Sequence, residues 1–481
     1  MTHNALTKNI VIIGGGITGL SAAHRLKELC DKNAVRLDVT VMDARDRLGG
    51  VIQTLKRDGF LIDTGPDNFV TAKPWALALA RRLGLDSELI TTNKAHRSAL
   101  VVRDGRLMPI PEGFLLMAPT KLMPILTTPL FSIPGKLRMA MEYVLPTRKG
   151  INDESLASFV TRRFGREALD RVVQPLISGI YTARPETLSL RATMPRFLDL
   201  ERQYGSVIKG MRAAGKKRKS AQTATGSGAR YGMFVTFKGG LETLTNNLKD
   251  RVKDFRIAIG TPVTSIEKIN GPASKWRIKT KSAPPVEADG VIIAGPAKNA
   301  AALLGDVDPV LAKALSAIRY ASSAVVHLGY KRKDVSHPLD AFGCVVPITE
   351  QRRIIAASFS SVKYEGRAPA DSVLLRAFMG GALNPELMAL NDSGLIETAC
   401  QDLHDLLGIR AEPRLAVVSR WPDSMAQYEV GHMERVADIR RRVHGHPGLE
   451  LAGNGYEGVG IPDCVRAGEQ AAESLFTVVQ E

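Results

Sequence analysis

Hydrophobic positions along the chain alternate between short continuous runs and helically spaced series. Asn9-Ile10-Val11-Ile12-Ile13 is an apolar run of the kind that forms a strand buried on both faces, and Leu20, Ala23, Leu26 and Leu29 then recur at helical spacing. Leu37 to Met42 predicts a second strand, so this opening segment reads as one βαβ unit. The same rhythm returns twice. A helix opened by Gly239-Gly240 is followed by a strand over Thr261 to Ile266 and a strand-turn over Asp289 to Pro296; near the far end, a strand over Leu449 to Asn454 leads into a helix running to Phe476. Val325 to Tyr330 predicts a further strand, with His327 as a packed strand histidine rather than an acid or ligand.

The polar residues between these runs add chemistry. Gly14-Gly15-Gly16-Ile17-Thr18-Gly19 joins the first strand to the first helix, which is G-x-G-x-x-G in its required context. Gly14 permits the tight turn, Gly16 lets backbone approach a pyrophosphate, and Gly19 lets helix and strand pack closely, while the helix amino terminus offers partial positive charge. Asp43 ends the second strand 24 positions beyond Gly19 and suits a carboxylate bonding ribose hydroxyls.

Composition bounds the remainder. A chain of 481 residues with 44% hydrophobic content can form two or three cooperating domains. The polar start, Met1 to Lys8, has no charged-then-apolar secretion pattern, so the mature protein is expected to begin there. The best membrane candidate, Leu122 to Val144, is broken by prolines and charges and falls short of the roughly 18 uninterrupted apolar residues a span needs. Cys30, Cys344, Cys400 and Cys464 lie far apart, which argues against zinc or a disulfide framework and points to a reducing cytosol. The formal charge of +16 favours anionic partners: nucleic acid, an anionic membrane surface, or a polycarboxylate or phosphate ligand. No nucleic-acid-binding motif accompanies the charge, so no nucleic-acid partner is expected.

Asp43-Ala44-Arg45-Asp46-Arg47-Leu48-Gly49-Gly50 resembles the E-A-x-x-R-x-G-G segment of the amine-oxidase-like flavoproteins, with aspartate for the usual glutamate. The resemblance implies FAD rather than NAD, with Asp43 and Ala44 at the ribose, Arg47 adding bonds to phosphate, and Gly49-Gly50 passing close to the cofactor. Gly65, Pro66 and Asp67 match the segment that lines the flavin edge in that superfamily, and Val263 matches a residue whose backbone meets the adenine. Gly453 and the helix start Val459-Gly460-Ile461-Pro462 are expected to face the flavin. There a helix amino terminus stabilises the negative charge gained when the ring accepts a hydride. No flavin-linking histidine or cysteine motif stands out, so the FAD is expected to be non-covalent.

Further runs narrow the family. Gly65 to Phe69, Leu176 to Tyr181, Trp421 to Met425 with Gln427-Tyr428, and Glu457 to Cys464 resemble the bacterial porphyrinogen oxidases, and within them the Gram-positive type acting on coproporphyrinogen III; Ala426 stands where that family usually has proline. The resemblance implies an α/β fold with an FAD-binding Rossmann-like domain of the amine-oxidase type, an inserted α+β substrate domain and a helical region. It also implies oxidation of a tetrapyrrole by dioxygen in haem biosynthesis, with Lys73 binding a substrate propionate and Ile177 lining the pocket. No catalytic base is assigned. Protoporphyrinogen IX remains open as the substrate, as do a carotenoid-type desaturase, an amine oxidase and a non-catalytic binder of the GDP-dissociation-inhibitor type.

The expected organisation is a discontinuous FAD-binding domain over residues 1–74, 231–297 and 446–481, a substrate domain over 75–104, 200–230 and 298–445, and a helical region over 105–199. Met117 to Val144 resembles the region by which relatives approach membranes, but a buried helical lid is favoured; at most a peripheral membrane contact is expected. Lys209 to Arg230, with Lys216-Lys217-Arg218-Lys219, reads as a mobile solvated loop, with transient docking of the next haem-pathway enzyme as a minority reading.

Overall fold

The computed structural model of the protein describes residues 7–96, 98–121, 123–150, 152–215, 233–269 and 275–480. The three apolar β-rich segments combine into one parallel sheet, in the order Arg256–Ala258, Leu37–Met42, Lys8–Ile13, Gly290–Ala294 and Leu449–Ala452. Both faces of the inner strands are covered, which is why Lys8–Ile13 and Gly290–Ala294 carry continuous apolar runs, whereas the edge strand Arg256–Ala258 is largely exposed. The helices Ile17–Asn33 and Ile461–Gln480 bury Leu20, Leu26, Val465 and Leu475 on one face. On the other lie Trp276, Leu304 and Leu311, from a small antiparallel sheet and the helices Ala297–Leu304 and Pro309–Ser316.

A second, seven-stranded sheet runs Leu415–Ala426, Tyr320–Lys331, Ser372–Gly380, Ile354–Phe359, Gly343–Val345, Leu100–Arg103, Arg106–Pro109. Its pairs are antiparallel except that between Gly343–Val345 and Leu100–Arg103. The helix Asp392–Leu407 covers one face through Leu395, Ala399 and Leu403. A third core, with Phe159, Phe164, Val172, Leu190 and Phe197, belongs to the helical region.

These cores draw boundaries that differ from the sequence expectation. The helix Trp75–Arg82 and strand Leu89–Thr91 pack with the parallel sheet, through Ala76, Leu79, Ala80 and Leu89. Leu200, Val207, Ile208 and Met211 belong to the helical core, and the chain is helical over 207–215, so the amino-terminal part of the expected mobile loop is ordered; Lys216 to Lys219 lie outside the described residues. The helices after Gly295 and the helix His432–Val443 also pack on the parallel sheet. The cause is common to all of these: an amphipathic helix joins whichever apolar face the topology brings nearest, and a boundary drawn at a motif is blind to that.

The segment Met117 to Val144, expected as a buried helical lid, is only partly buried among its described residues. Ile125, Leu130, Phe131 and Met139 point inward, whereas Met123, Leu126, Ile133, Leu137, Met141 and Val144 are exposed. Among the described residues, no helix is long and apolar enough to cross a membrane.

Candidate active site

The first strand and helix meet at the glycine-rich turn, and geometry explains each glycine there. Gly14 has φ +107°, and a Cβ on it would lie 2.6 Å from the Ala294 carbonyl oxygen. A Cβ on Gly19 would lie 1.8 Å from the Gly14 oxygen, so any larger residue would push the helix off the strand. Gly16 is different, because a Cβ there would meet nothing closer than the Gly50 Cα at 3.8 Å. Gly16 caps the helix without a side-chain partner, leaving the N–H groups of Ile17, Thr18 and Gly19 at an uncapped terminus. The Gly49 N–H donates to the Gly15 oxygen at 2.8 Å, so two glycine-rich backbones run side by side in front of that terminus.

Asp43 accepts from the Gly15 N–H at 2.6 Å and the Arg45 N–H at 2.8 Å, which fixes the loop around the exposed Ala44. Arg47 sits on the turn itself: its guanidinium donates to the Gly50 carbonyl at 2.7 Å and to those of Leu48 and Ile52 at 3.3 Å. Val263 opens the strand Val263–Ile269 just after Thr261, whose N–H donates to the Asp43 carbonyl at 2.8 Å. The glycine-rich fingerprint, the acidic end of Leu37–Met42 and the start of Val263–Ile269 therefore lie together at the carboxyl ends of the parallel strands. That is where open α/β sheets bind nucleotides.

The opposite wall comes from the last strand. Gly453 has φ +140°, and its Cβ would lie 2.8 Å from the Gly295 oxygen. The chain then turns through Val459 and Gly460, both half-buried, into the buried Ile461 and Pro462. In the same first turn Asp463 is buried, and both its carboxylate oxygens accept from the Lys73 ammonium, at 2.6 and 2.8 Å. Lys73 itself remains 47% exposed. These two residues lie 390 positions apart, and nothing in the motif around Lys73 points to its partner.

The Gly65-Pro66-Asp67 loop lies between the two sheets and is held from the large one. The Thr64 carbonyl accepts from the Trp421 indole at 3.2 Å, and the Gly65 carbonyl accepts from Arg376. Asp67 pairs with Arg376 at 2.9 Å and Lys363 at 3.5 Å. Burial alone would raise the Asp67 carboxyl's pKa, but Lys363 and Arg376 outweigh it and hold the group far below the usual carboxylate range. Asp67 is thus a fixed anion and a poor proton acceptor. His327 lies fully buried in the large sheet, and burial depresses its pKa well below the ordinary value, as a neutral packed histidine requires.

Ile177 is fully buried in the helical core; the exposed residues of that helix are its neighbours Gly179 and Ile180. Sequence reasoning passed over four residues that shape the site: Asp463, Arg376, Lys363 and Tyr428. Tyr428 and Asp463 both stand in family-like runs that carry no sign of their partners, yet the Tyr428 hydroxyl bonds both ends of the turn after Gly453. Among the described residues, no group of three histidine, cysteine or acidic side chains could hold a metal ion. The open space before Gly16, the uncapped helix terminus and the paired glycine backbones fit a dinucleotide pyrophosphate instead.

Comparison with known proteins agrees in extent. Residues 17–475 match the family described as flavin containing amine oxidoreductase. The chain is 36% identical to the coproporphyrinogen III oxidase of Bacillus subtilis (strain 168), covering 98% of each. It is 33% identical to the coproporphyrinogen III oxidase of Staphylococcus aureus (strain NCTC 8325 / PS 47), covering 98% of this chain and 99% of that one. A crystal structure of a protein from Exiguobacterium sp. 255-15 superposes with TM-score 0.86 at 32% identity, covering 97% of this chain and 98% of the other.

Proposed function

Since the chain belongs to the flavin containing amine oxidoreductase family, we propose that it is an FAD-dependent oxidase that converts coproporphyrinogen III to coproporphyrin III in haem biosynthesis. Six electrons leave the tetrapyrrole in three two-electron steps, and three dioxygen molecules accept them to give three hydrogen peroxides. The observation that carries the reading is the 36% identity to a coproporphyrinogen III oxidase over 98% of both chains, which includes the substrate-side sheet as well as the cofactor crevice.

FAD, held without a covalent bond, would supply a hydride acceptor. Toward it, Gly14, Gly15, Gly16, Ile17, Thr18 and Gly19 would hold the pyrophosphate, with Arg47 keeping the Gly49-Gly50 turn closed behind it. Asp43 and Ala44 would border the ribose and Val263 the adenine. Gly65, Pro66 and Asp67 would line one flavin edge, with Gly453, Val459, Gly460, Ile461 and Pro462 on the other. The helix Ile461–Gln480 would direct its positive end at the ring, where negative charge develops on reduction. Lys73 would bind a propionate through the ammonium face that Asp463 leaves free. Ile177 would act one layer back, supporting the exposed Gly179 and Ile180. The remaining task is to keep each methylene carbon near the flavin in turn, for which positioning rather than a strong base is the main requirement.

The alternative within the same chemistry is protoporphyrinogen IX, which has two propionates where coproporphyrinogen III has four. A strongly basic substrate pocket would favour the substrate with more carboxylates. Aerobic turnover of the two at equal concentration tests the choice: faster appearance of coproporphyrin supports it, and turnover of protoporphyrinogen alone would overturn it. A second reading concerns location. Ile133, Leu137, Met141 and Val144 form an exposed row that recurs with helical spacing, with Arg148 and Lys149 exposed just beyond it. Such a row suits a peripheral contact with an anionic membrane surface better than a closed lid.

A further inference from the structure

We propose that Tyr428, with His432 stacked behind it, is the positioning residue that holds the turn 454–458 in shape and so aims the first turn of the helix Ile461–Gln480. This turn has no regular structure, and Gly455 and Tyr456 at its centre are buried, so its backbone groups need partners from elsewhere. One short segment supplies them. The Tyr428 hydroxyl donates to the Asn454 carbonyl at 2.7 Å and accepts from the Gly458 N–H at 2.7 Å, closing both ends of the turn with one atom. The His432 ring, 4.0 Å from the Tyr428 ring and 14° from parallel, bonds the Tyr456 carbonyl at 2.8 Å through Nε2. A carbonyl only accepts, so His432 carries its proton on Nε2. The Asn454 side chain donates to the Ser424 carbonyl at 2.8 Å.

The neighbouring strand adds a second contact. Tyr320, paired across the large sheet with Ala426, accepts from the Ala297 N–H at 2.8 Å, and a Cβ on Gly455 would lie 2.6 Å from its hydroxyl. Burial raises the pKa of both tyrosines, Tyr320 to about 12, so both keep their protons and Tyr428 stays a donor. Two tyrosines at one end of the large sheet thereby hold two loops at the carboxyl ends of the parallel sheet. They register the substrate-side sheet against the crevice.

The inference rests on the reading that this crevice holds FAD, and its test separates the two. Tyr428→Phe keeps the ring, its stacking on His432 and its volume, and leaves the Gly458 N–H and Asn454 carbonyl unpaired together. At matched thermal stability of the FAD-saturated proteins, the dissociation constant for oxidised FAD is expected to rise about tenfold. Because a loosened helix terminus supports the reduced flavin less, the potential of the bound flavin should fall by about 30 mV, the equivalent of a further tenfold loss for the reduced form. His432→Leu should move both quantities in the same direction. A yellow wild type whose Tyr428→Phe and His432→Leu forms keep its FAD affinity and potential would overturn the positioning role alone. A folded wild type that binds no FAD would overturn the cofactor reading and this inference with it.

Discussion

The Lys73 ammonium engages both oxygens of a buried carboxylate while nearly half of its side-chain surface faces solvent. An ammonium has three N–H donors, so Asp463 fixes its position and still leaves a donor for an incoming carboxylate. Removing the charge should therefore weaken substrate capture more than chemistry. Lys73→Ala is expected to raise KM for coproporphyrinogen III about fivefold, in keeping with a partly screened ion pair, with little change in kcat or FAD content. Steady-state kinetics with a flavin assay would check this, and unchanged KM would remove Lys73 from the site. Asp463 was not legible beforehand. It reads in sequence as a helix-start acid, and its partner comes from the other end of the chain.

At the scale of elements, the glycines fall into those the sequence explained and those only packing explains. Gly14 and Gly19 stand in a motif whose spacing announces the strand-turn-helix, and the structure places both where a side chain cannot fit. Gly468 belongs to no motif. It lies mid-helix, where glycine ordinarily costs helix stability, and a Cβ there would approach the Thr18 carbonyl oxygen to 2.2 Å. Its role is to let the helix Ile461–Gln480 cross the helix Ile17–Asn33 in close contact, and so bring both helix starts to one crevice. Gly468→Ala should gain helix propensity yet destabilise the protein by about 1–3 kcal/mol through overpacking, with loss of bound FAD. Thermal melts and the flavin-to-protein absorbance ratio would reveal it, and a more stable variant with full flavin would refute the crossing argument.

Over the whole molecule, most of the parallel sheet was legible because strands such as Lys8–Ile13 and Gly290–Ala294 carry continuous apolar runs with turn chemistry at their ends; the short, largely exposed edge strand Arg256–Ala258 carries no such signal. The large sheet was less so. Of its seven strands only the run around His327 stood out: Leu415–Ala426 is half-exposed, Gly343–Val345 and Leu100–Arg103 are short, and the buried Ser372–Gly380 carries Arg376 inside its apolar run. In the helical region the exposed positions of Ile133, Leu137, Met141 and Val144 were not legible, because an apolar residue looks the same in sequence whether it points in or out. Its exposed row has a measurable consequence: the protein should co-sediment with vesicles containing anionic lipid, and Leu137→Glu with Ile133→Glu should reduce that binding at least tenfold without altering turnover in solution. Equal sedimentation of wild type and variant would assign the row to something other than lipid.

The central claim is that porphyrinogen electrons pass through a flavin held between the two ends of this chain. Mixing the FAD-loaded protein with coproporphyrinogen III in the absence of dioxygen tests it in one step. The visible flavin band should bleach as one two-electron step reaches it, no porphyrin should form until dioxygen is admitted, and coproporphyrin should then appear with three hydrogen peroxides per ring. A flavin that stays oxidised in the presence of coproporphyrinogen III would contradict it.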